Sequence, residues 1–145
     1  MAYCTAADIY KILPVAQVIR LTDDDATGAV DTDRLAEAID AAAEEIDAWI
    51  GQRCKLPLTT SAPILGKLNA DMAVYNLYGR YSEQIPETRA DRYKAAVRVL
   101  EKIAEGKISL GVQPEPDPPD AGDGHAAIQT SSREQQFTTT LMGKY

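Results

Sequence analysis

Between residues 33 and 50 apolar side chains return every three or four positions. Leu35, Ile39, Ala42, Ala43, Ile46, Trp49 and Ile50 fall on one face of a helical wheel, with Glu37, Asp40, Glu44 and Asp47 opposite. The spacing predicts an amphipathic helix that ends at Gly51 as its C′ residue. A second helix is predicted over about 63 to 81, with Ile64, Leu65, Leu68, Met72 and Tyr75 inward. A third lies between Pro86 and Gly106, where Tyr93, Ala96, Val97, Leu100 and Ala104 face in and Lys94, Arg98 and Lys102 face out. Upstream, "TAADIYKIL" opens on Thr5, a good N-cap, and stops near Pro14, which predicts one short helix. The pattern is that of an all-α protein: residues 1–111 form a compact domain of about four helices.

Beyond "GKISLG" the periodicity stops. Residues 112–124, "VQPEPDPPDAGDG", hold four prolines and four acids with almost nothing to bury, which reads as an extended linker. Residues 125–145 restore Ile128, Phe137, Leu141, Met142 and Tyr145, too few for a second core. In "QFTTTL" the threonine run and the alternation of Phe137, Thr139 and Leu141 favour an extended strand with these three on one side. An arm that docks on a partner fits this composition, with Phe137 and Leu141 as its apolar anchors.

The net charge of −7 is unevenly spread. Residues 1–50 carry −8, residues 51–111 carry +4, the linker −4 and the last segment +1. Opposite signs in the two halves of the domain can be satisfied within a molecule or between copies of it. An acidic total argues against a tight DNA binder, which needs a surplus of Lys and Arg against phosphates. No run approaches a membrane span and "MAYCTAADIYK" lacks a signal-peptide profile, so the chain is expected to stay in the cytoplasm where it is made. Cys4 and Cys54 are far apart in sequence without metal spacing and are expected as reduced thiols.

One stretch suggests chemistry. In "LTDDDATGAVDTDR", Asp23, Asp25, Thr27, Gly28 and Asp31 occupy positions 1, 3, 5, 6 and 9 of a twelve-residue calcium loop, but position 12 is Arg34 instead of the bidentate glutamate. The competing reading is a turn in which Asp31 caps the next helix while Val30 and Leu35 staple its entry. The second reading accounts for more of the residues, and a calcium-binding helical regulatory module stays as the alternative class. The single histidine, His125, sits beside the Gly-rich linker, and no nucleotide, hydrolase or zinc motif occurs. Tyr75, Tyr78 and Tyr81, three apart, point to helix packing rather than base stacking. No catalytic residue, metal ligand or cofactor is expected.

Six segments resemble, in order and spacing, the Mu-like bacteriophage family of small head-tail connector proteins: "MAY-T--D", "LTDDDATGAVD", "EEIDAWIGQRCKLPL", "YNLYGRY", "RYKAAVRVLEKIAEGKISLG" and the closing "SREQQFTTTLMGKY". The resemblance covers nearly the whole chain apart from the acidic linker. It departs from the family at Trp49 and Cys54, where relatives often carry tyrosines.

The resemblance implies a structural protein, not an enzyme: a head-tail adaptor in the virion neck, assembled in the host cytoplasm. It implies a ring, expected as a dodecamer, beneath the portal protein and above the next neck or tail protein. DNA would pass through without specific binding. A neck stopper or tail-completion protein is the neighbouring alternative. Arg133, Phe137, Leu141 and Tyr145 are then the expected partner-binding residues of the arm. Glu37, Asp40, Glu44 and Asp47 against Lys94, Arg98 and Lys102 are the expected charge contacts between subunits.

Overall fold

The computed structural model describes residues 2–58, 62–80 and 84–111. They form five helices: α1 (Ala6–Ile12), α2 (Val15–Thr22), α3 (Thr32–Ile50), α4 (Pro63–Gly79) and α5 (Glu87–Ala104), with no strand among the described residues. The all-α expectation holds, and one helix more than expected is present. Pro14 separates α1 from α2: its ring ends the first helix, while its fixed φ of −56° starts the second. Only eight residues long, α2 buries Val18, Leu21 and Thr22.

The start of α3 follows from its sequence. Asp31 stands at the N-cap and accepts hydrogen bonds from the N–H groups of Asp33 and Arg34 at 3.0 and 3.1 Å. Val30 packs against the core that contains Leu35, as a staple requires. Gly51 is the C-cap but is right-handed, with φ −62°, rather than a left-handed C′ residue. Gly106 does take the left-handed conformation after α5, with φ 75°.

At the centre lies α4, touched by each of the other four helices. Its middle is buried on several sides by Leu65, Leu68, Met72, Val74, Leu77 and Tyr78, with Ala70 and Ala73 allowing close approach. Ile64, expected inward, is 40% exposed. It lies in the first turn, where α4 has not yet entered the bundle. Trp49 is likewise only half-buried against the core.

Among the polar residues inside this core, Thr22, Asn69 and Asp71, the fully buried Asn69 makes the most connections. Its side-chain oxygen accepts from the N–H groups of Tyr3 and Cys4 at 3.2 and 3.0 Å, and its Nδ2 donates to the carbonyl of Ile39 at 3.0 Å. One amide thus ties the N-terminal segment, α3 and α4 together. Replacing Asn69 by Ala strands three backbone groups and should lower the unfolding free energy by at least about 2 kcal/mol. Ile64→Ala should change it by less than about 0.5 kcal/mol, both read from urea unfolding curves.

Candidate functional site

The 23–34 loop is closed by its own side chains. Asp23 accepts from the N–H groups of Thr27 and Gly28 at 2.8 and 2.6 Å, which pulls its pKa below the ordinary carboxylate value. Gly28 takes φ 77°, the left-handed geometry this turn needs. The Arg34 guanidinium donates to Asp31 through Nε at 2.8 Å and to Asp24 through Nη1, and Arg80, just beyond α4, reaches Asp24 at 2.9 Å. Arg80 also donates to the Leu21 carbonyl at 3.2 Å. Two guanidinium groups therefore supply the positive charge that a calcium loop would take from an ion.

The charged stripes sit where the helical wheel put them, with one exception. Glu37, Asp40 and Glu44 are exposed on α3, and none makes an ion pair or side-chain hydrogen bond among the described residues. Asp47 is half-buried and accepts the hydroxyl hydrogen of Tyr3, so it belongs to the N-terminal anchor rather than to the open stripe. Burial and this bond push the Tyr3 hydroxyl pKa up. On α5, Lys94, Arg98 and Lys102 are exposed. Lys94 approaches Asp91 at 3.6 Å, while Arg98 and Lys102 are unpaired among the described residues.

Between α3 and α5 lies a contact that the periodic pattern did not announce. Glu45, at the edge of the solvent face, accepts from the Tyr93 hydroxyl at 2.7 Å. That bond, then burial, raises the Tyr93 pKa to about 12. The Tyr93 ring stacks on Tyr75 with centroids 4.2 Å apart and planes 17° from parallel. Tyr78 is buried and receives a hydrogen bond from Gln17 at 2.5 Å. These tyrosines pack helices, as their spacing indicates; Tyr81 lies outside the described residues.

A groove of about 600 Å³ opens between α1 and the first half of α4. Tyr3, Ile12, Leu58, Ala62 and Ala70 line it, together with the exposed Lys11 and Lys67. Lys11 pairs with Asp8 at 2.8 Å, and this bond leads the causes that lower the Asp8 pKa to about 2. Sequence periodicity did not reveal the groove, because its walls come from three separated segments. Cys4 and Cys54 are both free and buried, and burial raises the Cys4 pKa to about 11. Among the described residues no group of three or more His, Cys, Asp and Glu side chains is placed to hold a metal ion, and no helix is long and apolar enough to cross a membrane. Arg133, Phe137, Leu141 and Tyr145, and His125, lie outside the described residues.

The fold and its closed, charge-bearing surface are those of a small all-α protein, and comparison with known sequences places it among Mu-like phage proteins. Residues 3–128 match the family described as Bacteriophage Mu, Gp36, and the chain belongs to that family. It is 31% identical over 96 residues to the Mu-like prophage FluMu protein gp36 of Haemophilus influenzae, a match that covers 66% of each chain. The chain thus spans a little under two thirds of that relative's length. The family match continues through the acidic linker, which the shorter resemblances in the sequence had skipped.

With its carboxylates already bonded to N–H groups and guanidinium, the 23–34 loop should ignore calcium: millimolar calcium leaves the melting temperature unchanged, and calorimetry shows no saturable heat. Asp8, Asp23 and Asp31 have lowered folded-state pKa values. Their contribution to stability is therefore complete above the unfolded value of about 4 and is lost as pH falls through the folded values. Carboxyl NMR titration should find all three titrating below that value.

Proposed function

We propose that this chain is a structural protein of the phage neck, a head-tail adaptor that assembles as a ring under the portal and joins capsid to tail. Its role is geometric rather than catalytic. Membership of the Bacteriophage Mu, Gp36 family supports a phage role. The observation that carries the assembly reading is the pair of exposed stripes, acidic on α3 and basic on α5, whose members Glu37, Asp40, Glu44, Arg98 and Lys102 have no ionic partner among the described residues. A head-to-tail ring needs two different complementary patches on each subunit, and opposite charges set both the register and the encounter rate.

In this reading Glu37, Asp40 and Glu44 of one subunit meet Lys94, Arg98 and Lys102 of the next. The C-terminal arm, with Arg133, Phe137, Leu141 and Tyr145, holds the portal or ring neighbours. A surplus of acid toward the lumen repels DNA phosphates and lets the genome pass.

The test is charge reversal. Changing Glu37, Asp40 and Glu44 together to Lys, or Lys94, Arg98 and Lys102 together to Glu, should each cut ring formation on the portal at least tenfold, counted in negative-stain images. Both sets in one chain should restore it in part. Equal assembly by all variants would sink the proposed contact.

A further inference from the structure

The groove between α1 and α4 is open and largely apolar, and helix packing does not use it. Its volume of about 600 Å³ lies within the roughly 300–1,000 Å³ of ordinary binding pockets, enough for two large apolar side chains. Tyr3, Ile12, Leu58 and Ala70 offer apolar surface, and Lys67, exposed and without an ionic partner among the described residues, adds positive charge.

Three facts bear on what fills it. The 34 residues that follow Gly111 contain the chain's one phenylalanine, Phe137, four positions before Leu141. The segment before them carries Glu115, Asp117, Asp120 and Asp123 with no base, complementary to Lys67, whereas Lys11 is already paired with Asp8. Finally, 25 residues separate Gly111, where the described chain ends, from Phe137.

That length lets the arm leave its own subunit. At the roughly 3.3 Å per residue of a fully extended chain, 25 residues reach at most on the order of 80 Å. A compact domain of this size is on the order of 35 Å across, so the next subunit of a ring lies within that reach. A tethered arm meets a groove within its reach at high effective concentration.

We propose that the α1–α4 groove receives the Phe137–Leu141 stretch of a neighbouring copy of this chain. The inference rests on the ring reading above and names the second contact of that ring: the stripes set the register, and the arm latches each subunit to the next. Phe137 and Leu141 enter the apolar floor while the linker acids lie over Lys67.

Photo-crosslinking of the full chain tests this. A copy with benzoylphenylalanine in place of Phe137, at natural isotope abundance, is mixed with native-sequence chain uniformly labelled with ¹⁵N, irradiated and digested with trypsin. Crosslinks from the light arm to heavy peptides 12–20 and 56–67, which border the groove, are the expected result. Lys67→Glu in the heavy chain, a surface change that leaves the fold alone, also removes a tryptic site and joins residues 56–80 in one peptide, and the summed yield of crosslinks to heavy peptides 12–20 and 56–80 should fall at least threefold. Crosslinks confined to light chains, crosslinks to other heavy peptides, or a yield unmoved by Lys67→Glu would each overturn the inference. Native mass spectrometry of the same sample reads the ring separately. Rings with crosslinks elsewhere sink this inference alone, whereas monomers without crosslinks sink the ring reading as well.

Discussion

Burying α4 on several sides at once is the constraint from which the rest of the domain follows. A helix surrounded by four others cannot leave polar groups unpaired, yet it carries Asn69 at its centre with no solvent exposure. The amide resolves this by bonding in two directions, to the backbone of Tyr3 and Cys4 and to that of Ile39. A leucine at this position would bury as much apolar surface but leave those backbone groups without their partner. The polar choice therefore fixes where the N-terminal segment must lie, and with it one wall of the groove, since Tyr3 is both held by Asn69 and part of the groove lining.

The same segment is secured a second time, at its side chain. The Tyr3 hydroxyl reaches Asp47, one turn before the end of α3, so a residue that the helical wheel assigned to solvent anchors the N-terminus instead. Asp71 offers a parallel on α4: it is nearly buried, and Arg92 of α5 approaches it at 3.3 Å. Both acids lie at the margin between core and surface, where a cation or hydroxyl from a neighbouring element can still reach them. For Asp71, removing Arg92 would leave a nearly buried carboxylate with diminished solvation, which costs more than the bond itself contributes.

Long, strongly periodic helices were legible in the sequence, and helices whose environment comes from elsewhere were not. The pattern and cap of α3 located its start within a residue, and Pro86 and Gly106 bracketed α5. For α4 the one-sided reading failed because burial on several faces removes the periodicity, so Ile64 was drawn inward while Asn69 and Leu77 were passed over. The eight residues of α2 are too few to establish a period against the flanking Pro14 and the acidic turn. Of the candidate site, the stripes were readable because a solvent face repeats like a core face. The groove was not, since Tyr3, Leu58 and Ala70 meet only in three dimensions.

What distinguishes the α3 stripe from an ordinary solvated face is its lack of alternation. On α5 Lys94, Arg98 and Lys102 each have an acid three positions away, at Asp91, Glu101 and Glu105, whereas on α3 Glu37 and Asp40 are three apart and Asp40 and Glu44 four apart. Like charges at that spacing destabilise a helix by about 0.2–0.5 kcal/mol a pair, where alternating signs would have stabilised it by as much. Lys102 gains something from the C-terminal end of its helix dipole, but Asp40 and Glu44 sit beyond the first turn of theirs. The isolated subunit thus bears a small, avoidable penalty on α3. A complementary surface on another copy reverses the sign of that term, so charges that weaken the free subunit strengthen the proposed assembly. Each stripe also repels its own kind, which disfavours pairing like faces.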